Sequence, residues 1–187
     1  MEFDLEDSDE ELVLHLQKGD ADAFAELVRR HTDYLFRIVW RTCPDSEEAE
    51  DIVQDVFLKF YGQPRSFDLS RGVKFKTWIT RVAMNRAIDV SRKKRPIPDY
   101  DYLLQQSMDD PDIPLHELEA KVASMELEAA IQNLPERQQQ AINLCFYEDL
   151  SRKDAAEIME VSVKALDSLL MRAKKALFDI LAERKVA

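Results

Sequence analysis

Ten of the 26 Lys and Arg residues fall between Tyr61 and Arg95, facing only Asp68 and Asp89, so this stretch carries +8 inside a chain of net charge −11. Clustered cations release counterions from a phosphate backbone, which is the main sequence-independent source of nucleic-acid affinity. Within the stretch, Phe75, Trp78, Ile79, Val82 and Ala83 recur at helical intervals, so one stripe is buried. Lys74, Lys76, Arg81, Arg86 and Arg92 to Arg95 are left for the outer surface. An aromatic such as Trp78 beside such cations can stack on an unpaired base, which points to single-stranded or melted DNA, although at this spacing an aromatic more often belongs to the core.

A second constellation is acidic. Glu47, Glu48, Glu50, Asp51 and Asp55 crowd one helical segment, with 47, 51 and 55 on one face, as in all-α hydrolases that hold Mg²⁺. Such a site needs a matching carboxylate set from another helix, and no EXXE or EXXD partner lies on a compatible apolar helix. His15, His31 and His116 show no metal-ligand spacing, and Cys43 and Cys145 lack a CxxC or CxxxH partner. Neither a metal, a cofactor nor a catalytic residue is assigned, and both cysteines are expected to be reduced and structural.

The elements that position these groups are helical. Only three Gly occur, apolar content is 45%, and strict alternation of apolar and polar residues is absent, so the fold class is all-α. Ser8 with Glu11 reads as a capping box for a first helix ending at Gly19. A second, amphipathic helix runs over 22–42 until Pro44 stops it. Asp45 with Glu48 caps a third, carrying Ala49, Ile52, Val53, Val56, Phe57 and Phe60 up to Gly62. Residues 63–73 read as a loop before the basic helix or helix pair. From Pro96 to Pro114 four prolines and five acidic residues mark a flexible linker.

Periodicity resumes at Leu118 to Ile131, passes Leu134-Pro135, and continues through Ala141, Ile142, Leu144 and Cys145. Leu150-Ser151 opens a helix with Ala155, Ala156 and Ile158; a turn at Glu160-Val161-Ser162 breaks it; a second helix carries Leu166, Leu169, Leu170, Ala173 and Leu177. This is the order of a helix-turn-helix, with Ser162 as cap and Lys164, Ser168, Met171, Arg172 and Lys175 free to enter a major groove. The expected domains are residues 1–95 and 117–187, joined by a linker over 96–116. No apolar run approaches membrane-spanning length and no signal peptide opens the chain, so a cytoplasmic protein is expected.

Across nearly its whole length the chain resembles an extracytoplasmic-function sigma factor, a group 4 member of the bacterial sigma-70 family. Asp51-Ile52-Val53-Gln54-Asp55-Val56-Phe57 looks like the clamp-binding segment, Phe75 to Arg95 like the melting and minus-ten segment, and Leu150 to Leu177 like the minus-35 reader. The resemblance implies that Asp51, Gln54, Asp55 and Phe57 dock on clamp helices of the largest subunit of core RNA polymerase, whose flap is a further contact. It places Asn85 where the family holds a flipped non-template base, with Lys76, Trp78, Arg81, Arg86, Arg92 and Lys93 supporting the melted strand. It also implies promoter DNA and an anti-sigma factor as partners, with the free protein a monomer. The alternative is a sigma-like decoy that sequesters an anti-sigma factor. The family often has Gly at 160, a basic residue at 167 and Arg at 169; here stand Glu160, Asp167 and Leu169. The linker also allows the two domains to pack together, in which case Asn85 or the recognition helix should be buried.

Overall fold

The computed structural model describes residues 7–94 and 115–184, and every regular element among them is a helix or helical turn. Helix α1 (Asp9–Gln17) begins as its sequence requires: the Ser8 hydroxyl accepts from the Glu11 N–H at 3.3 Å, and the Glu11 carboxylate accepts from the Ser8 N–H at 2.8 Å. Gly19, at φ +99°, reverses the chain where a side chain would be strained. Asp20 then caps α2 (Ala21–Thr42) and Asp45 caps α3 (Ser46–Gly62), each accepting from a first-turn N–H at 3.0 Å.

The stretch read as a plain loop contains two 3₁₀ turns, Pro64–Ser66 and Leu69–Arg71. Phe67 between them is buried, and Gln17 donates to the Pro64 and Phe67 carbonyls at 3.0 and 3.1 Å, which fixes the path. The basic segment is one helix, α4 (Phe75–Lys94), rather than a pair. Its first N–H, on Phe75, donates to the Glu10 carboxylate of α1 at 2.8 Å, so a remote side chain supplies the cap.

In the C-terminal part, α5 (Leu115–Gln132) starts inside the end of the expected linker, and residues 96–114 lie outside the described residues. After Leu134-Pro135 comes α6 (Glu136–Ile142), which runs into a π-helical turn, Asn143–Tyr147, where sequence periodicity suggested unbroken α-helix. Helices α7 (Arg152–Ile158) and α8 (Val163–Arg184) complete the helix-turn-helix. Ser151 and Ser162 cap them, accepting from the Asp154 and Ala165 N–H groups at 3.1 Å each. Buried Ala155 and Ala156 at the crossing keep the helices close.

The two helical groups share one continuous apolar cluster, in which α4 meets α7 and α2 meets the π turn. Asn143 donates to the Ile38 carbonyl at 3.2 Å, Gln132 donates to the Arg41 carbonyl near the end of α2 at 2.9 Å, and Arg41 pairs with the buried carboxylate of Glu148. Among the described residues no helix is long and apolar enough to cross a membrane.

Candidate nucleic-acid interface

The buried side of α4, formed by Phe75, Ile79, Ala83, Met84 and Ala87, fixes which residues face outward. Trp78 belongs partly to the core side: its half-buried ring lies 5.5 Å from those of Phe60 and Phe67 and 6.0 Å from Phe75. Lys76 is exposed, its ammonium 4.0 Å over the Tyr34 ring. Lys93 lies on the last turn, its side chain outside the described residues.

Arginines read from the sequence as outer-surface groups have partners. Arg86 donates to Asp55 on α3 at 3.2 Å; Arg81 donates to Glu160 at 2.7 Å; Arg92 donates twice to Glu136, both bonds 2.9 Å. Asn85 is exposed rather than buried, but it lines a cavity of about 180 Å³ between α4 and the C-terminal group, together with Arg81, Arg137, Gln140, Met159 and Glu160. The expected sign of domain closure, a buried Asn85 or a buried recognition helix, is not met: Asn85 is exposed, and so are Lys164, Met171, Arg172 and Lys175 on α8, although the C-terminal group walls one side of the cavity.

On α3, Asp51 and Gln54 are exposed and Asp55 is half-buried. The Lys59 ammonium, at 2.8 Å, and then the Arg86 guanidinium hold Asp55 below the ordinary carboxylate range. Phe57 corrects the sequence expectation. It is 4% exposed and packs edge-on against Phe24, so it anchors the helix and presents nothing to a partner. Leu58, by contrast, is 66% exposed and shares a face with Asp51, Gln54 and Asp55. It was legible as an apolar residue outside the buried register of Ile52, Val53, Val56, Phe57 and Phe60.

Along α8, Lys164, Met171, Arg172 and Lys175 are exposed, Met171 to 68%. Ser168 donates its hydroxyl to the Lys164 carbonyl at 2.9 Å, and the Arg172 Nε donates to the Ser168 carbonyl at 3.2 Å. Asp167 pairs with Arg152 at 3.6 Å, which sets a carboxylate among these cations. Among the described residues no group of three or more His, Cys, Asp and Glu could hold a metal ion.

Comparison with known proteins accords with this layout. Residues 27–97 match the family model for sigma-70 region 2, and residues 124–177 that for sigma-70 region 4. The chain is 33% identical to the ECF RNA polymerase sigma factor SigW of Bacillus subtilis over 182 residues, covering 88% of this chain and 92% of that one. It is likewise 33% identical to the RNA polymerase sigma-H factor of Pseudomonas aeruginosa, over 92% and 93% of the two chains. The fold resembles that of CnrH in complex with the cytosolic domain of CnrY (TM-score 0.70, 22% identity, 95% and 99% covered). It also resembles RpoE of Bartonella quintana in complex with the anti-sigma factor NepR (TM-score 0.58, 21% identity, 85% and 96% covered).

Proposed function

The chain belongs to the extracytoplasmic-function sigma factors of the sigma-70 family, and from that premise we propose how its residues divide the work of a promoter-specific initiation factor. Residues 1–95 dock on core RNA polymerase and take the melted minus-ten strand. Residues 117–187 read the minus-35 duplex, and residues 96–116 connect them.

Docking is assigned to Asp51, Gln54, Asp55 and Leu58, an acidic face with one apolar anchor, suited to basic clamp helices of the polymerase. Phe57 supports that face from inside. Strand capture is assigned to α4. Lys76, Arg81, Arg86, Arg92 and Lys93 supply phosphate contacts, and Asn85 presents an amide that can both donate to and accept from a base edge. Trp78 stiffens the helix from its aromatic cluster. In the helix-turn-helix, Lys164, Arg172 and Lys175 contact the major-groove side, with Met171 as an apolar contact. Ser168, whose hydroxyl bonds its own helix, can turn it outward only by breaking that bond.

The observation that carries this reading is the Asp55–Arg86 bond, which joins the acidic docking face of α3 directly to the basic face of α4. Polymerase contact and strand capture thus share one rigid unit. The partners are core RNA polymerase, promoter DNA and an anti-sigma factor; the last is supported by the fold shared with RpoE, solved with NepR. The protein acts in the cytoplasm, as a regulator without catalytic chemistry of its own.

Run-off transcription with purified core RNA polymerase on a fragment library of the source genome tests the assignment. Discrete transcripts that require this protein are expected. Folded protein with active core enzyme and no transcripts would sink the reading.

A further inference from the structure

If α4 takes single-stranded DNA, as proposed above, its guanidinium groups are what phosphates must reach. Arg86 is held by Asp55 of its own helical group, and two others are occupied from the C-terminal group. Arg81 donates to one oxygen of Glu160, and Arg92 makes a two-bond fork with both oxygens of Glu136, partners 79 and 44 positions away. A carboxylate offers a guanidinium the same two-oxygen edge that a phosphate does. Both acids come from the C-terminal group: Glu136 opens α6, and Glu160 sits in the turn of the helix-turn-helix.

The same surfaces enclose the cavity that Asn85 lines, so a base reaching that amide must enter between α4 and the residues around Glu160. The outer face of α8 is treated differently: Lys164, Met171, Arg172 and Lys175 all remain exposed.

We infer that Glu136 and Glu160 form an intramolecular mask, standing in for DNA phosphates on Arg92 and Arg81, so that the strand-capturing helix is closed while the duplex-reading helix stays open. The inference rests on the assignment of α4 to the single strand. It gives the protein an order of engagement, in which duplex contact precedes strand capture. Arg92 and Glu160 are about two-thirds exposed, at 64% and 65%, so each pair is individually weak and yields to a competing polyanion or to any partner that separates the domains. Glu160 stands where the family often has Gly, so one half of the mask belongs to this chain.

The test is fluorescence anisotropy of a labelled twelve-nucleotide thymidine strand at low salt, titrated with the full chain. Glu136→Gln with Glu160→Gln should tighten binding about fivefold, from two exposed pairs released together. Loss of negative charge alone raises DNA affinity, so Glu47→Gln with Glu50→Gln, the same charge change on α3, is the control and should shift binding far less. In an Arg81→Gln, Arg92→Gln background the Glu136/Glu160 changes should give no gain beyond that control. Equal gains in the mask and control variants, or none in either, would overturn the mask. Transcription separates the two claims: a fivefold gain in strand binding by a protein that supports no transcripts keeps the mask and discards the sigma-factor reading.

Discussion

The Asp55 carboxylate lies 2.8 Å from Lys59 on its own helix and 3.2 Å from Arg86 on the next, so the acid proposed for docking also holds a cation proposed for the strand. Asp55→Ala should weaken binding to core RNA polymerase by about tenfold or more, as truncating one member of an interfacial charge pair does. Binding of a free DNA strand should hold or rise slightly, because Arg86 is released. Competition against a labelled reference sigma factor measures the first effect and strand anisotropy the second. Parallel losses in both would contradict the division of labour.

Among the described residues Asn85 has no hydrogen-bond partner that would explain an amide on this face, and it is exposed at the cavity between the two groups. Asn85→Ala should leave polymerase affinity unchanged and cut promoter-dependent transcription roughly ten- to hundredfold, corresponding to about 1–3 kcal/mol for a two-bond base contact. Asn85→Asp should be at least as defective, since a carboxylate cannot donate and adds charge beside phosphates. Unimpaired transcription from Asn85→Ala would remove the base-reading role.

The helices were legible wherever a local device ended or began them. The Ser8 and Glu11 box, the αL turn at Gly19 and the stop at Pro44 are properties of neighbouring residues, and each lies where its chemistry placed it. The basic stripe was equally clear. What the sequence concealed depends on remote neighbours. Capping of α4 by Glu10 spans 65 positions, and Glu136 and Glu160 meet α4 across the intervening chain, with no local spacing to betray them. In the π turn Asn143 bonds the Ile38 carbonyl of α2 and Leu144 is buried while Phe146 turns outward to 50% exposure, a demand of packing and not of periodicity. Phe57 turns inward and Leu58 outward for a simpler reason: a one-residue step on a helix is about 100° of rotation.

Acid should loosen the packing of α1 on α2. Hydrogen bonds from Arg29, then Arg30, pull Glu26 down from 4.5 to about 2. Burial opposes ionisation of Asp9, but bonds from His31 and Arg30 outweigh it and leave its carboxyl below the ordinary range. A depressed carboxyl contributes stability that is fully present above its unfolded value and is lost as pH falls through the folded one. For Glu26 that window runs from about 4.5 down to about 2. Urea midpoints measured at pH 7, 4.5 and 3 should fall towards acid in the wild type. The fall should be shallower in Glu26→Gln, which has no such proton to gain. Parallel profiles would show that this carboxylate adds nothing.

Glu160 carries two opposed effects that substitution can separate. Its φ of +54° lies in the left-handed region, which costs a non-glycine residue about 1–2 kcal/mol, while its carboxylate bonds Arg81 at 2.7 Å. Glu160→Gln keeps the strained backbone and loses the ion pair. Glu160→Gly relieves the strain and loses the same pair, at the expense of extra freedom in the unfolded chain. The glycine variant should therefore be more stable than the glutamine variant by about 1 kcal/mol in urea unfolding, while both bind a DNA strand more tightly than the wild type. Equal stability of the two would mean that the turn relaxes around Glu160 without strain. A Gly variant that is more stable yet binds DNA as the wild type does would show that the side chain contributes nothing to closing α4.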